Sequence, residues 1–315
     1  MTINDEGPRT DAGRVAYADA NGLRLAYETF GDHDAPAVLL IHGWATQMLA
    51  WPEPLCRAIA ANGYHVIRFD NRDIGLSTCL DHLGSPSITW HAVTSWLGLG
   101  ARAPYGLDDM ARDALELLAA LDLDEAHVVG ASMGGMIVQH MAALDPRRVL
   151  SLTAIMSSSG APGLPDADDD VTALMQQMPD DASPDGLLRH GMAIWRRIAG
   201  PVYPPDEAAL VALMRTSAAR CPPGGANEIR QLAAIMADGS RVDLLRGLMV
   251  PTLVIHGDAD PLVPLPCGED IARHVPGARL EVIPGMGHDL PVALTDAFCA
   301  MLTAHFRQAD GDGPP

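Results

Sequence analysis

The sequence predicts an α/β protein built on a mainly parallel, doubly wound sheet with a helical insertion, and three observations carry that expectation. Apolar runs of strand length (AVLLI, HVIRFD, HVVGA, TLVIHG) alternate with helical periods on either side of the chain's middle, the pattern of βαβ units around a covered sheet. Across 161–239 the alternation stops, and Pro- and Asp-punctuated helical text (GLLRHGMAIWRRIA, DEAALVALMRTSAA, NEIRQLAAIM) runs on with no convincing strand. The notable polar residues His42, Ser132, Asp258, Asp260 and His288 each follow an expected strand, at the edge where open α/β sheets bind ligands. The expected organisation is a core of 1–160 and 240–315, with 161–239 inserted as a helical cap over that edge.

Taken in order, VAYADANGLRLAYETFG reads as two strands joined at Asn21 and Gly22, a dipeptide that favours hairpin turns. The run ending at Ile41 suits a strand covered on both faces. A helix is expected over 51–61, with Pro52 in its first turn and Asn62 and Gly63 as its stop, before the strand HVIRFD. The stretch 71–106 is rich in Gly, Pro, Ser and aromatic residues and has no sustained helical period. It reads as part of a lid or pocket wall, the alternative being a disordered surface excursion. An amphipathic helix over 108–121 puts Met110, Ala114, Leu117, Leu118 and Leu121 on one face. Later, LSLTAIMS, PTLVIHG and ARLEVIP read as strands, a helix starts near Leu265, and a last helix over 293–306 precedes a tail, ADGDGPP, read as disordered.

Composition bounds the function. Hydrophobic residues make up 48% of the 315 and charged residues 19%, enough apolar surface for a large core. The net charge of −19 sets 40 acidic residues against 21 basic ones, all arginine. Such a surface disfavours nucleic acid and anionic membrane, and the absence of lysine excludes a lysine nucleophile or Schiff base. Five cysteines with no CxxC pair or metal-type spacing read as reduced structural thiols. With a polar N-terminal stretch and no run approaching a transmembrane span, the cytoplasm is the expected location.

The chemistry centres on GASMG, a GxSxG string set between a strand and a helix. A strand that turns into a helix within a few residues strains its central residue, and Gly130 and Gly134 remove the side chains that would collide there. Ser132 is left exposed at the strand's end, with the first helical amide, that of Met133, aimed at any oxyanion beside it. A serine hydroxyl is a weak nucleophile at neutral pH, so it needs a base and the base needs an acid. His288 and one aspartate can supply both, in the chain order Ser, Asp, His. Asp258 competes with Asp260 for the acid's role, its other role being to cap a loop. His42 is either a base or a shaper of the oxyanion turn. Asp70, Arg72 and Asp73 read as a structural ion network, Asp289 as a surface or supporting residue, and His127, His140 and His190 as core or solvated.

On IHGWA, FDNRDIGLST, GASMGGM, HGDADPLVP and PGMGHDLP, the chain resembles the α/β-hydrolase superfamily, and within it is similar to the bacterial esterase group that includes aclacinomycin methylesterases. The resemblance implies the α/β-hydrolase fold, Ser132, Asp260 and His288 as catalytic residues, and the backbone amides of Trp44 and Met133 as the oxyanion hole. It implies a serine esterase that needs no cofactor or metal and acts on a small-molecule ester with an apolar acyl or alcohol part. Trp90, Trp96, Met192, Trp195 and Leu290 are candidate pocket residues or, equally, buried core. A cofactor-free perhydrolase or haloperoxidase, a C–C bond hydrolase, and a non-catalytic binding protein on the same fold are the competing expectations.

Overall fold

Period-2 burial organises the sheet. In Ala37–Ile41 every residue is buried; Val38 and Leu40 join one apolar cluster, while Leu39 and Ile41 join the other. The same alternation recurs where Val129 and Ala131 face one way and Val128 the other, and where Leu253 and Ile255 oppose Val254, as a strand's pleat requires. The computed structural model describes residues 9–10, 13–87 and 103–311. Its main sheet contains β1 (Ala16–Ala20), β2 (Leu23–Phe30), β3 (Ala37–Ile41), β4 (His65–Phe69), β5 (Ala126–Ala131), β6 (Val149–Ile155), β7 (Thr252–Gly257) and β8 (Arg279–Ile283). The spatial order is β8-β7-β6-β5-β3-β4-β2-β1. All pairings from β4 to β8 are parallel, and only β1 and β2 run against their neighbours.

Helices cover both faces. On one, α1 (Glu53–Ala61) and α10 (Thr295–Ala309) bury Leu55, Cys56, Ile59, Phe298, Leu302 and Phe306. On the other lie α2 (Leu107–Ala120) and α3 (Met133–Leu144), which bury Met110, Leu117, Leu118, Ile137, Val138 and Met141. Between β6 and β7 the chain forms α4 (Asp169–Gln176), α5 (Pro184–Ile198), α6 (Glu207–Arg220), α7 (Ala226–Asp238) and α8 (Val242–Arg246), with no strand among the described residues. Ahead of β8, α9 (Leu265–His274) follows β7.

Most elements fall within two residues of their sequence expectation, and the differences have local causes. The first helix begins at Glu53 because Pro52 holds extended backbone as its N-cap. The hairpin turns at Asn21 and Gly22 with φ of 50° and 75°, the pair of positive angles a type I′ turn demands. The stretch 71–106, read as part of a lid or pocket wall, is firmly packed at its start: Asn71, Arg72, Asp73 and Ser77 are buried, with Ser77 Oγ donating to the Asp70 carbonyl at 2.6 Å. The rest, 88–102, lies outside the described residues and takes Trp90 and Trp96 with it.

Register brings the strand ends into line. Ile41 pairs with Gly130, Ala131 with Ile155, Ile155 with Ile255, and Gly257 with Ile283. The residues immediately beyond β3, β5, β7 and β8 therefore emerge on one edge of the sheet.

One ion pair is buried beneath this frame. Glu28 and Arg68 face each other across the antiparallel β2–β4 ladder, both about 1% exposed. Arg68 Nη2 lies 2.6 Å from Glu28 Oε2, and its Nη1 donates to the Trp51 carbonyl at 2.6 Å. Glu28→Ala strands a buried guanidinium and lowers the unfolding free energy by about 3–5 kcal/mol, whereas Glu28→Leu combined with Arg68→Met recovers most of that loss. Urea denaturation of the two variants tests this, and equal losses in both would contradict it.

Candidate active site

The turn from β5 into α3 is tight because two glycines let backbones touch. A Cβ on Gly130 would sit 2.1 Å from the Gly134 carbonyl oxygen, and one on Gly134 would sit 2.0 Å from that of Ile41. Neither position admits a side chain. Ser132, between them, adopts φ 56° and ψ −120°, a conformation that costs a non-glycine residue on the order of 1–3 kcal/mol. Its own backbone holds it there: its N–H donates to Ile155 at 2.9 Å, and its carbonyl accepts from Gly135 N at 2.9 Å and Ser157 Oγ at 2.9 Å. The side chain is half-buried.

Asp260 and His288 meet although 28 residues separate them. His288 Nδ1 lies 2.8 Å from Asp260 Oδ2, in a buried contact. The other oxygen, Oδ1, accepts from Leu262 N at 2.9 Å and Val263 N at 2.8 Å, so the carboxylate cannot rotate away without losing both bonds. Behind it, the buried His256 donates through Nε2 to the Val263 carbonyl at 2.8 Å, and burial holds that ring below the ordinary histidine pKa. The His288 loop is fixed from α5: His288 N donates to the Ile198 carbonyl at 2.6 Å, and a Cβ on Gly287 would fall 2.1 Å from that oxygen. Asp258 is exposed and accepts from Gly285 N at 2.6 Å, the loop-capping role considered for it.

The turn after β3 abuts Ser132. A Cβ on Gly43 would lie 2.9 Å from Ser132 Cβ and 3.3 Å from its Oγ, which puts the Gly43–Trp44 peptide beside the hydroxyl. Met133 N opens a helix and has no intrahelical acceptor. His42 is buried, edge-on to Trp51 at 5.6 Å between ring centroids, and its Nδ1 accepts from Gly43 N at 2.7 Å. Burial first, and then the nearby His288 charge, push its pKa down to about 3, so it stays neutral and shapes the turn.

This turn is tied to α7 in a way the sequence did not signal. Trp44 Nε1 donates to the Glu228 carbonyl at 2.8 Å, and Ala45 N, at a φ of 54°, donates to Gln231 Oε1 at 3.0 Å. Gln231 Nε2 donates in turn to the Arg72 carbonyl at 2.9 Å. The residues Asp70, Arg72 and Asp73 are paired as expected of an ion network, but with other elements and not with one another. Asp70 Oδ2 meets Arg220 at 2.5 Å, Arg72 meets Asp113 at 2.6 Å, and Asp73 meets the wholly buried Arg230 at 2.7 Å.

Of the other candidates, Met192 is buried and Trp195 half-buried on α5, while Leu290 packs into the core cluster with Phe298 and Met286. His127 is wholly buried against Ser151 Oγ at 2.9 Å, and His140 pairs with Asp238 at 2.7 Å. Among the described residues, no group of three or more His, Cys, Asp or Glu could hold a metal ion. No helix there is long and apolar enough to cross a membrane.

A strained serine on a strand-to-helix elbow, an Asp-His pair past later strands and this strand order are the marks of one class. Residues 36–292 match the family model of the alpha/beta hydrolase fold, and the chain belongs to that family. Within it, the chain is 30% identical to rhodomycin D methylesterase DauP of Streptomyces sp. (strain C5), over 91% of this chain and 96% of the relative. Rhodomycin D methylesterase DnrP of Streptomyces peucetius is 29% identical over the same shares. The esterase RhEst1 from Rhodococcus sp. ECU1013 superposes with a TM-score of 0.73 over 94% of this chain and 99% of that one, at 21% identity.

Asp289 departs from the surface placement considered for it. It is 6% exposed, and its buried Oδ1 has no hydrogen-bond partner among the described residues. Burial pushes its pKa up to about 7, with His288 pulling it down and Asp260 adding to the rise. A carboxyl whose folded value exceeds its unfolded one stabilises the fold while protonated, and that contribution is lost as pH rises through the folded value. Asp289→Asn removes the loss. Relative to wild type, its unfolding free energy rises by up to about 4 kcal/mol from roughly pH 4 to pH 8. Chemical denaturation across that range checks it, and a pH-independent difference would show that the carboxyl does not titrate there.

Proposed function

We propose that the protein is a serine hydrolase of carboxylic esters, in which Ser132 is the nucleophile, His288 the general base and Asp260 the acid that orients it. The observation that carries this reading is the 2.8 Å contact of His288 Nδ1 with Asp260, whose other oxygen is committed to two backbone amides. That bond keeps the proton on Nδ1 and leaves Nε2 free to accept.

The steps follow from this tautomer. Ser132 Oγ bonds to the acyl carbon as its proton passes to His288 Nε2, and the negative charge on the carbonyl oxygen is taken by the Trp44 and Met133 amides. The bond to the leaving alcohol then breaks as His288 returns the proton to it. Water, deprotonated by the same imidazole, releases the acid and restores Ser132. Residues 161–239 serve as the cap, with Met192, Trp195 and Leu290 lining an apolar pocket. The relatives named as methylesterases make a methyl ester of an apolar acid the first substrate to assay, in a protein of the cytoplasm.

A fluorophosphonate probe labels Ser132 and no other serine, and Ser132→Ala lowers kcat by about 10⁶ because a triad acts as one unit. Labelling elsewhere, or none in folded protein, would sink the reading. Asp260→Asn loses roughly 10⁴ in kcat through the wrong imidazole tautomer, while Asp258→Asn stays within about tenfold. The reverse ranking would move the acid's role to Asp258. For a neutral ester, kcat/KM falls on acidification as His288 takes up a proton. His42, held near a pKa of about 3, adds no limb of its own, so His42→Ala keeps the shape of the profile.

A further inference from the structure

Gln231 sits on α7, distant in sequence from every residue given a chemical role above, yet it is wholly buried with both ends of its amide occupied. Its Oε1 accepts from Ala45 N at 3.0 Å, and its Nε2 donates to the Arg72 carbonyl at 2.9 Å. The partners force this orientation, since a backbone N–H can only donate and a carbonyl can only accept. The turn that it holds needs support: Ala45 has a φ of 54°, an unfavourable conformation for a residue with a Cβ. Three residues earlier on the same helix, the Glu228 carbonyl accepts from the Trp44 indole at 2.8 Å. Trp44 is thus gripped through its side chain and through the next peptide, while Gly43 rests against Ser132.

We propose that Gln231 is a positioning residue: from the helical block it fixes the turn that presents the Trp44 amide to the oxyanion, and so acts on the rate and not on substrate affinity. The inference rests on the serine-hydrolase reading and deepens it. The Trp44 amide stabilises charge that exists only in the transition state, so tilting it changes kcat. A misplacement on the order of 1 Å costs about 10² in rate.

The test compares wild type, Gln231→Met and Gln231→Glu in ester turnover, fluorophosphonate labelling and thermal unfolding. Gln231→Met keeps the length and loses both bonds. Its kcat falls roughly 10- to 100-fold while KM stays within about threefold, and labelling of Ser132 slows in parallel. Gln231→Glu, neutral when buried, can accept from Ala45 and donate to Arg72, and returns kcat to within about fivefold of wild type. A folded Gln231→Met with wild-type kcat, or a loss matching only its unfolded fraction or carried by KM, would overturn the proposal. If Gln231→Met does not fold, Gln231→Asn, one methylene too short to reach both Ala45 N and the Arg72 carbonyl, replaces it. A severalfold drop in kcat at constant KM supports the inference, and an unchanged kcat overturns it. A wild-type protein that neither turns over esters nor labels at Ser132 would instead refute the hydrolase reading itself.

Discussion

The close approach of α3 to the ends of β3 and β5 is the constraint on which the rest of the site depends. With Gly130 against the Gly134 carbonyl and Gly134 against that of Ile41, the helix can start only at Met133, and Ser132 has only the strained conformation available. The cost of that strain is met by the packing around it. Ile137, Val138 and Met141 are wholly buried on the same helix, and burying each such side chain contributes about 1.5–3 kcal/mol. The elbow is therefore a geometric consequence of packing a helix this near the sheet, and the place of the hydroxyl at the end of β5 follows from the elbow.

What surrounds Ser132 is fixed from two directions. The sheet sets where the loops begin, because register lines up Ile41, Gly130, Ala154 and Val254. The helices between β6 and β7 set how two of those loops end. The α5 terminus takes the His288 amide on the Ile198 carbonyl, and α7 takes Trp44 and Ala45. Buried pairs of Asp73 with Arg230 and Asp70 with Arg220 join α7 and α6 to the loop after β4. Breaking either pair would leave a buried charge unpaired, which costs several kcal/mol, so these helices are anchored on the β3 and β4 side of the site.

Much of this was legible in the sequence, and the reasons differ by residue. Strand-length apolar runs gave β3, β4, β5 and β7 because both faces of a central strand are buried, and the glycines beside Ser132 announced the elbow because close backbone approach admits no other residue there. Asp260 could be preferred over Asp258 only by resemblance. In the structure the difference is physical: Asp260 is buried beside His288, whereas Asp258 caps Gly285 from an exposed position. Gln231 and Glu228 were illegible because NEIRQLAAIM reads as an ordinary amphipathic helix, and Glu228 holds Trp44 through its carbonyl, which any residue could supply. Between the surface and supporting roles left open for Asp289, burial favours the second; the sequence could not decide because that burial is set by the path of the loop after β8, which local periodicity does not encode.

The electrostatics around His288 follow from the same geometry. Three groups near it respond to burial in different ways. His42 is kept neutral, Asp289 is pushed towards its protonated form, and Asp260 alone combines burial with a direct contact to the imidazole and two amides. Asp260 accepts three hydrogen bonds, whereas the buried Oδ1 of Asp289 has no partner among the described residues and burial raises that carboxyl's pKa to about 7. In the serine-hydrolase reading proposed above, His288 takes and returns a proton, and Asp260 meets the ring on its Nδ1 side. In that reading, a second full charge on Asp289 would hold the imidazolium more tightly and hinder return of the proton to the leaving alcohol. The same reading gives the two carboxyls different parts: Asp260, held by three hydrogen bonds, orients the imidazole, while Asp289, buried and with its pKa raised, is the weaker charge beside it.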